Sequence, residues 1–146
     1  MNWIGNMPHI GRLARLPYME MMNKVYERLH HLGFKDMNSY YSIVFQLIGN
    51  GARMTDMATQ SNMTKQNMKY LLEQLESKGY VKRFEDATDG RAVLFKLTKK
   101  GILFRDTAYH VIAEVELEWA KEIGKENMLQ LKKLLTQLNE VIADKM

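Results

Sequence analysis

Apolar residues recur at three- and four-residue spacing along most of this chain and give way to short β-type runs only once, between Tyr80 and Leu97. From His9 to about Leu32 the series Ile10, Leu13, Met21, Met22, Val25, Leu29 and Leu32 follows one helix face, with Gly33 at the stop. Pro17 removes a backbone donor and crowds the preceding turn, so a kink near Leu13 to Pro17, or a fresh start there, is expected. Met1 to Pro8 has no period and reads as an arm. Asn38 or Ser39 can cap a second helix with Tyr41, Val44, Phe45 and Ile48 along its core side, ended by Gly49, Asn50 and Gly51. Thr55 is the expected cap of a short third helix reaching about Gln60, and Asp56 suits the positive end of its dipole. Thr64 opens a fourth helix, whose Met68, Leu71, Leu72 and Leu75 make one stripe before Gly79 stops it.

Tyr80 to Phe84 and Ala92 to Leu97 are β-branched and aromatic runs, and the Asp-Gly pair in EDATDGR between them favours a turn with positive φ. Thr98 then caps a long helix through Phe104, Val111, Val115 and Trp119 to Gly124. A last helix, Lys125 to Lys145, carries Met128, Leu131, Leu134, Leu135, Leu138, Val141 and Ile142 on its apolar face. The order predicts a mainly α fold with a small β-wing. A winged helix-turn-helix lobe spans about residues 38–98, flanked by dimerisation helices at about 9–33 and 99–146, all within one domain over 1–146. The wide stripe of the last helix has no third element after it, so a second copy packed symmetrically is the expected cover.

Composition narrows the picture. At 146 residues the chain can bury a core unaided. With no cysteine there is no disulfide framework, thiolate nucleophile or Cys-type zinc site, which fits the reducing cytoplasm expected for it. No run of about eighteen apolar residues and no signal-peptide core occurs, so no membrane partner is expected. The net charge of +4 is unevenly spread: residues 1–54 hold six basic and three acidic side chains, 55–100 nine and six, 101–146 six and eight. The excess therefore sits in the first two thirds, +3 in each, and the last third is mildly acidic; beside a helix-turn-helix order it is the footprint expected on DNA phosphates.

With the stripe of the fourth helix facing inward, Gln66, Tyr70 and Glu73 lie opposite it and Asn67 and Lys69 on its flanks. Gln66 or Asn67 suits a bidentate pair with adenine and Lys69 a guanine edge or a phosphate, each good bidentate pair being worth roughly 1–3 kcal/mol of discrimination. Ser61, Thr64 and Lys65 suit phosphate positioning at the helix start. Arg91, on the turn with Asp89 to fix it, can enter a minor groove. A solvated surface helix alone would look the same. The wing beside it favours the DNA reading.

These residues resemble the MarR family of bacterial transcriptional regulators. The resemblance rests on Thr55 with Ala58, Thr64-Lys65-Gln66, Leu71-Leu72, Leu75-Glu76, Lys78-Gly79-Tyr80-Val81, Arg83, Asp89 with Arg91, and Leu97-Thr98 with Lys100-Gly101, within a span from Ile10 to the C-terminus. It implies a triangular homodimer on double-stranded DNA, at a pseudo-palindromic operator. The usual role is repression, often relieved by a small-molecule effector between the dimer helices and the winged lobe. The family often has two arginines after the wing aspartate; here Gly90 precedes a single Arg91.

An effector site could draw on Tyr18, Met21, Tyr40, Tyr41 and Phe45 near the junction of the first two helices, although core packing explains each one as well. His30 and His31 point about 100° apart on a helix, and His9 and His110 stand far off, so helix-surface histidines are the simpler reading and no metal is expected. Twelve methionines fit flexible packing better than an oxidation sensor. No nucleophile-base pair, Gly-rich phosphate loop or HExxH occurs, so neither a cofactor nor an enzyme is expected. Two competing functions remain open to test: a winged-helix module for protein contact, and an architectural protein with little sequence preference.

Overall fold

The computed structural model of the protein describes residues 7–86 and 89–146, with the side chains of Asp86, Asp89 and Arg91 also outside the description. The arm read over Met1 to Pro8 therefore falls largely outside the described residues. Helix α1 spans Ile10–His31, a short 3-10 turn Ser39–Tyr41 leads into α2 at Ser42–Leu47, and α3 (Met54–Gln60) precedes α4 (Lys65–Ser77). Strands β1 (Val81–Asp86) and β2 (Asp89–Leu97) form an antiparallel pair, followed by α5 (Lys99–Ile123) and α6 (Lys125–Ala143). The mainly α fold with a β-wing is the one the sequence predicts.

Local chemistry explains most boundaries. The Thr64 hydroxyl accepts from the Asn67 amide at 3.1 Å and the Thr98 hydroxyl from Gly101 at 3.1 Å, so both expected caps form. Thr55 differs: it lies inside α3, whose N-cap is Arg53 with no side-chain cap bond, because the helix begins at Met54. Its carbonyl accepts the Thr59 hydroxyl at 3.0 Å. Helix α1 runs continuously through Pro17 and does not restart there. The ring costs a donor to the Leu13 carbonyl, but both residues are solvent-exposed, where water can serve that carbonyl. Asp89 and Gly90, expected to turn, are both assigned to β2: Asp86 pairs with Asp89, and the register shifts between Glu85 and Asp86, so that Val93 is the next paired residue of β2.

Helix α1 packs along α5. Val25 and Leu29 meet Val111 and Val115 in the core, and Glu118 receives Arg28 at 2.6 Å and Lys24 at 3.5 Å. The winged lobe is built on Met37, Tyr41, Val44, Ile48, Met57, Met68, Leu71, Leu72 and Leu75. Phe104 joins the two parts, its ring 5.2 Å from that of Phe34, 4.8 Å from Phe45 and 5.6 Å from Tyr80. Helix α6 buries only Met128, leaving Leu131, Leu134, Leu135, Leu138, Val141 and Ile142 open. Among the described residues no helix is long and apolar enough to cross a membrane.

Candidate nucleic-acid interface

Helix α4 presents two chemically opposite faces. Met68, Leu71, Leu72 and Leu75 are buried against the lobe, and Lys65, Gln66, Asn67, Lys69 and Tyr70 are exposed on the other side. The buried face holds the exposed row rigidly in place, as groove reading requires. Of the expected contact set these five stand together on one surface. Thr64 sits at their N-terminal end with its hydroxyl engaged in the cap. Ser61 turns back: its hydroxyl donates to the Met57 carbonyl at 2.7 Å and the Ala58 carbonyl at 3.2 Å, closing the end of α3. Asn62, between the helices, adopts φ 56°, a left-handed conformation that asparagine tolerates better than most residues. The side chains of Asp89 and Arg91 lie outside the described residues.

Two features of the interface are not evident from the helix pattern. Arg53, Thr55, Lys69 and Arg83 line a groove of about 380 Å³ between the start of α3, the recognition face of α4 and the inner side of the wing. Arg83 is held there by Glu76, with Nε 3.0 Å from each carboxylate oxygen, and its guanidinium lies 5.3 Å from the Phe95 ring. Register explains the placement, since Arg83 pairs with Phe95 and shares the inner strand face with Val81. The wing is further tied to the start of α3 by paired backbone bonds between Ala52 and Phe95, at 3.0 and 2.9 Å. Three cationic side chains border this groove, of which Arg83 is paired with Glu76 and Lys69 lies 3.8 Å from Glu73. In the sequence, Arg83 is visible as a strand residue of the right parity, whereas Arg53 gives no signal beyond a basic residue preceding a short helix.

Asn67 and Tyr70 form the edge of that exposed face away from the wing, where other tyrosines join them. Asn38, Tyr40, Tyr41, Asn67, Tyr70 and Gln74 border a cleft of about 590 Å³. Gln74 spans it, accepting from the Tyr41 hydroxyl at 2.8 Å and donating to the Tyr70 hydroxyl at 2.7 Å. Burial pushes the Tyr41 phenol pKa up from its ordinary value. Of the five residues suggested for an effector, Tyr40 and Tyr41 face this cleft, whereas Phe45 borders a small cavity of about 70 Å³ beside Phe104. Tyr18 is solvent-exposed and Met21 packs half-buried at the edge of the core. The five do not converge on one cavity. His30 is used structurally, its ring hydrogen-bonded to the Met37 carbonyl, and His31 likewise bonds the Glu27 carbonyl at 2.9 Å. No group of three or more metal-ligating side chains gathers among the described residues.

The sequence matches the family model described as MarR family over residues 32–92. Comparison with curated proteins finds no match. Among solved structures the chain is similar to apo wild-type MarR from E. coli, with a TM-score of 0.71, 19% identity and coverage of 91% of this chain and 98% of that one. It is similar to the transcriptional regulator BldR from Sulfolobus solfataricus, with a TM-score of 0.69, 20% identity and coverage of 92% and 90%. It is also similar to NadR solved in complex with 4-hydroxyphenylacetate, with a TM-score of 0.71, 22% identity and coverage of 92% and 94%. The winged lobe is thus MarR-like in sequence, and the fold is that of MarR-family winged-helix regulators.

Proposed function

We propose that this MarR-like chain is a DNA-binding transcriptional regulator that acts in the cytoplasm as a homodimer on a pseudo-palindromic operator, as a repressor. The observation that carries the reading is the exposed row Lys65, Gln66, Asn67, Lys69 and Tyr70 on a helix whose opposite face is buried, beside a β-wing and a groove bordered by Arg53 and Arg83. Gln66 and Asn67 supply bidentate hydrogen bonding to base edges, and Lys65 and Lys69 supply charge for phosphates or a guanine edge. Arg91 at the wing is assigned to the adjacent minor groove, with Asp89 fixing it.

A homodimer is supported by the open apolar residues of α6, continued by Ile10, Leu13 and Leu16 on α1. Such a surface at both chain ends fits a self-complementary contact about a two-fold axis, and that symmetry would impose an inverted repeat on the operator. Relief by a small ligand is supported by the neighbour solved with 4-hydroxyphenylacetate. For this chain we assign the effector to the junction of helices and winged lobe, with no compound named.

Selection from random duplexes with the purified protein tests the proposal. The expected result is enrichment of one inverted repeat, bound with an affinity that falls steeply as salt rises. Enrichment of nothing, with weak and uniform binding to all duplexes, would refute sequence-specific regulation and leave an architectural role. Indifference to DNA at low salt would leave a protein-contact module.

A further inference from the structure

The residues that join the winged lobe to the helix pair form a polar cluster that the DNA reading does not use. Tyr80, between α4 and β1, is fully buried, and its hydroxyl donates to Asp36 Oδ1 at 2.8 Å. Asp36 belongs to the segment linking α1 to the 3-10 turn. Its other oxygen lies 3.9 Å from Lys100 Nζ in the first turn of α5, and that ammonium also stands 4.4 Å from the Tyr80 ring centroid. Lys100 Nζ donates in turn to the Lys78 carbonyl at 2.9 Å, the Thr98 hydroxyl to the Gly79 carbonyl at 2.6 Å, and the Thr98 amide to the Tyr80 carbonyl at 3.0 Å. Three successive carbonyls at the end of the recognition helix are therefore held by the first residues of α5.

The apolar contacts at the same junction, Phe104 with Phe34, Phe45 and Tyr80, cannot fix an angle by themselves. Apolar burial is non-directional and tolerates sliding, whereas hydrogen bonds weaken steeply once their angle is lost. A rotation of the lobe on the helix pair would keep much of the ring contact but would break the Tyr80–Asp36 bond and pull Lys100 from Asp36, the Lys78 carbonyl and the Tyr80 ring.

We propose that Tyr80, Asp36 and Lys100 are positioning residues that set the angle between the winged lobe and the α1–α5 pair, and so the spacing at which two recognition helices meet two half-sites. The inference about spacing rests on the DNA reading above; the inference about the angle does not. With Tyr80 bonded, the lobe has one orientation; without the bond, it samples several.

The test combines a DNA and a DNA-free measurement on Tyr80→Phe, Asp36→Ala and Asp36→Asn. On the selected repeat and on repeats one base pair longer or shorter, the unsubstituted protein should prefer one spacing by about tenfold, as fixed half-site geometry demands. Tyr80→Phe and Asp36→Ala should lower that preference to within about twofold, the double variant no further than Asp36→Ala alone, because both break the same bond and only Asp36→Ala also deprives Lys100 of its carboxylate. Asp36→Asn should remain nearer the parent protein, since its amide oxygen still accepts from the phenol. Because the chain has no cysteine, spin labels on Glu73→Cys in α4 and His110→Cys in α5, in labelled chains diluted with unlabelled ones, report the angle directly as a distance distribution. It should be narrow in the parent and broad in Tyr80→Phe. An unchanged width in both Tyr80→Phe and Asp36→Ala would overturn the proposal whatever the DNA result. Broadening in a protein that selects no repeat would support the angle-setting role and refute the DNA reading alone. Should Asp36→Ala fail to fold by circular dichroism, Lys100→Met, which keeps the stem and removes the charge, takes its place with the same expected broadening.

Discussion

Replacing Gly101 by alanine decides between two physical effects of opposite sign. Gly101 is helical, in the first turn of α5, and alanine is favoured over glycine in a helix interior by about 1 kcal/mol. Propensity alone therefore makes Gly101→Ala stabilising. A Cβ at this position, however, would fall well inside van der Waals contact with the Tyr80 carbonyl oxygen and stand 3.2 Å from both the Tyr80 carbonyl carbon and Leu97 Cδ2. Neither backbone nor helix can yield cheaply. The carbonyl that must move is the acceptor of the Thr98 amide at 3.0 Å, and Thr98 also holds the Gly79 carbonyl and caps α5 through Gly101. Overpacking of this kind costs typically 1–3 kcal/mol, and loss of one or two hydrogen bonds adds about 1 kcal/mol each. After the propensity gain the net loss is about 1–4 kcal/mol. At roughly 2–4 °C per kcal/mol for a chain of this size, the melting temperature should fall by about 2–16 °C. Thermal denaturation followed by far-ultraviolet circular dichroism checks this, at one fixed protein concentration because the dimerisation proposed above would shift the apparent midpoint. Gly11→Ala is the control, since a Cβ there meets only a side chain, the His9 ring at 3.3 Å, whose one hydrogen bond among the described residues is the exposed cap from the Arg12 amide at 3.2 Å. An unchanged or raised midpoint for Gly101→Ala would refute the close approach of α5 to the base of the wing.

Three further outcomes are expected. Lys65→Ala should weaken operator binding and reduce the slope of log affinity against log salt by about one phosphate contact, whereas Gln66→Ala should leave that slope intact and relax preference at one base position; gel shifts across a salt series separate the two. Leu134→Asp, on the open face of α6, should convert the proposed dimer to a 17.1 kDa monomer in light scattering, and a persistent dimer would move the interface elsewhere. Burial raises the Tyr80 phenol pKa above its unfolded value of about 10, so its contribution is complete below pH 10 and is lost as pH rises above it. Stability measured by denaturant titration should therefore fall on the alkaline side, with Tyr80→Phe showing the shallower decline, while an equal decline in both proteins would exclude this phenol as the cause.

The recognition helix was legible because its information is local. Met68, Leu71, Leu72 and Leu75 fix which side is buried, and that alone leaves Lys65, Gln66, Asn67, Lys69 and Tyr70 outward. The caps at Thr64 and Thr98 were legible for the same reason, as short hydroxyl side chains just before apolar periods. Thr55 shows the limit of that rule: one residue separates a cap from a first-turn position, and the helix starts at Met54. What depends on tertiary register was hidden. Arg53, Lys69 and Arg83 come to one groove only because the wing folds back on α3 and α4, and Asp36, Tyr80 and Lys100 meet only at the junction of three elements. The suggested effector residues fail to converge because neighbouring positions diverge: Tyr41 turns toward Gln74, and Phe45, one helical turn later, turns toward Phe104.

The pairing of α1 with α5 also has a consequence in time. Arg28 and Glu118 are 90 residues apart in sequence, so α1 is made long before its partner. At synthesis rates of roughly 5–20 residues per second, Val25 and Leu29 wait on the order of 5–20 seconds before the helix that buries them has emerged. The winged lobe, whose contacts are nearly all between neighbouring elements, can form during that interval. A nascent chain paused before Val111 would then hold a folded winged lobe and an uncovered apolar helix, the form most exposed to chaperones and to premature association with another nascent copy.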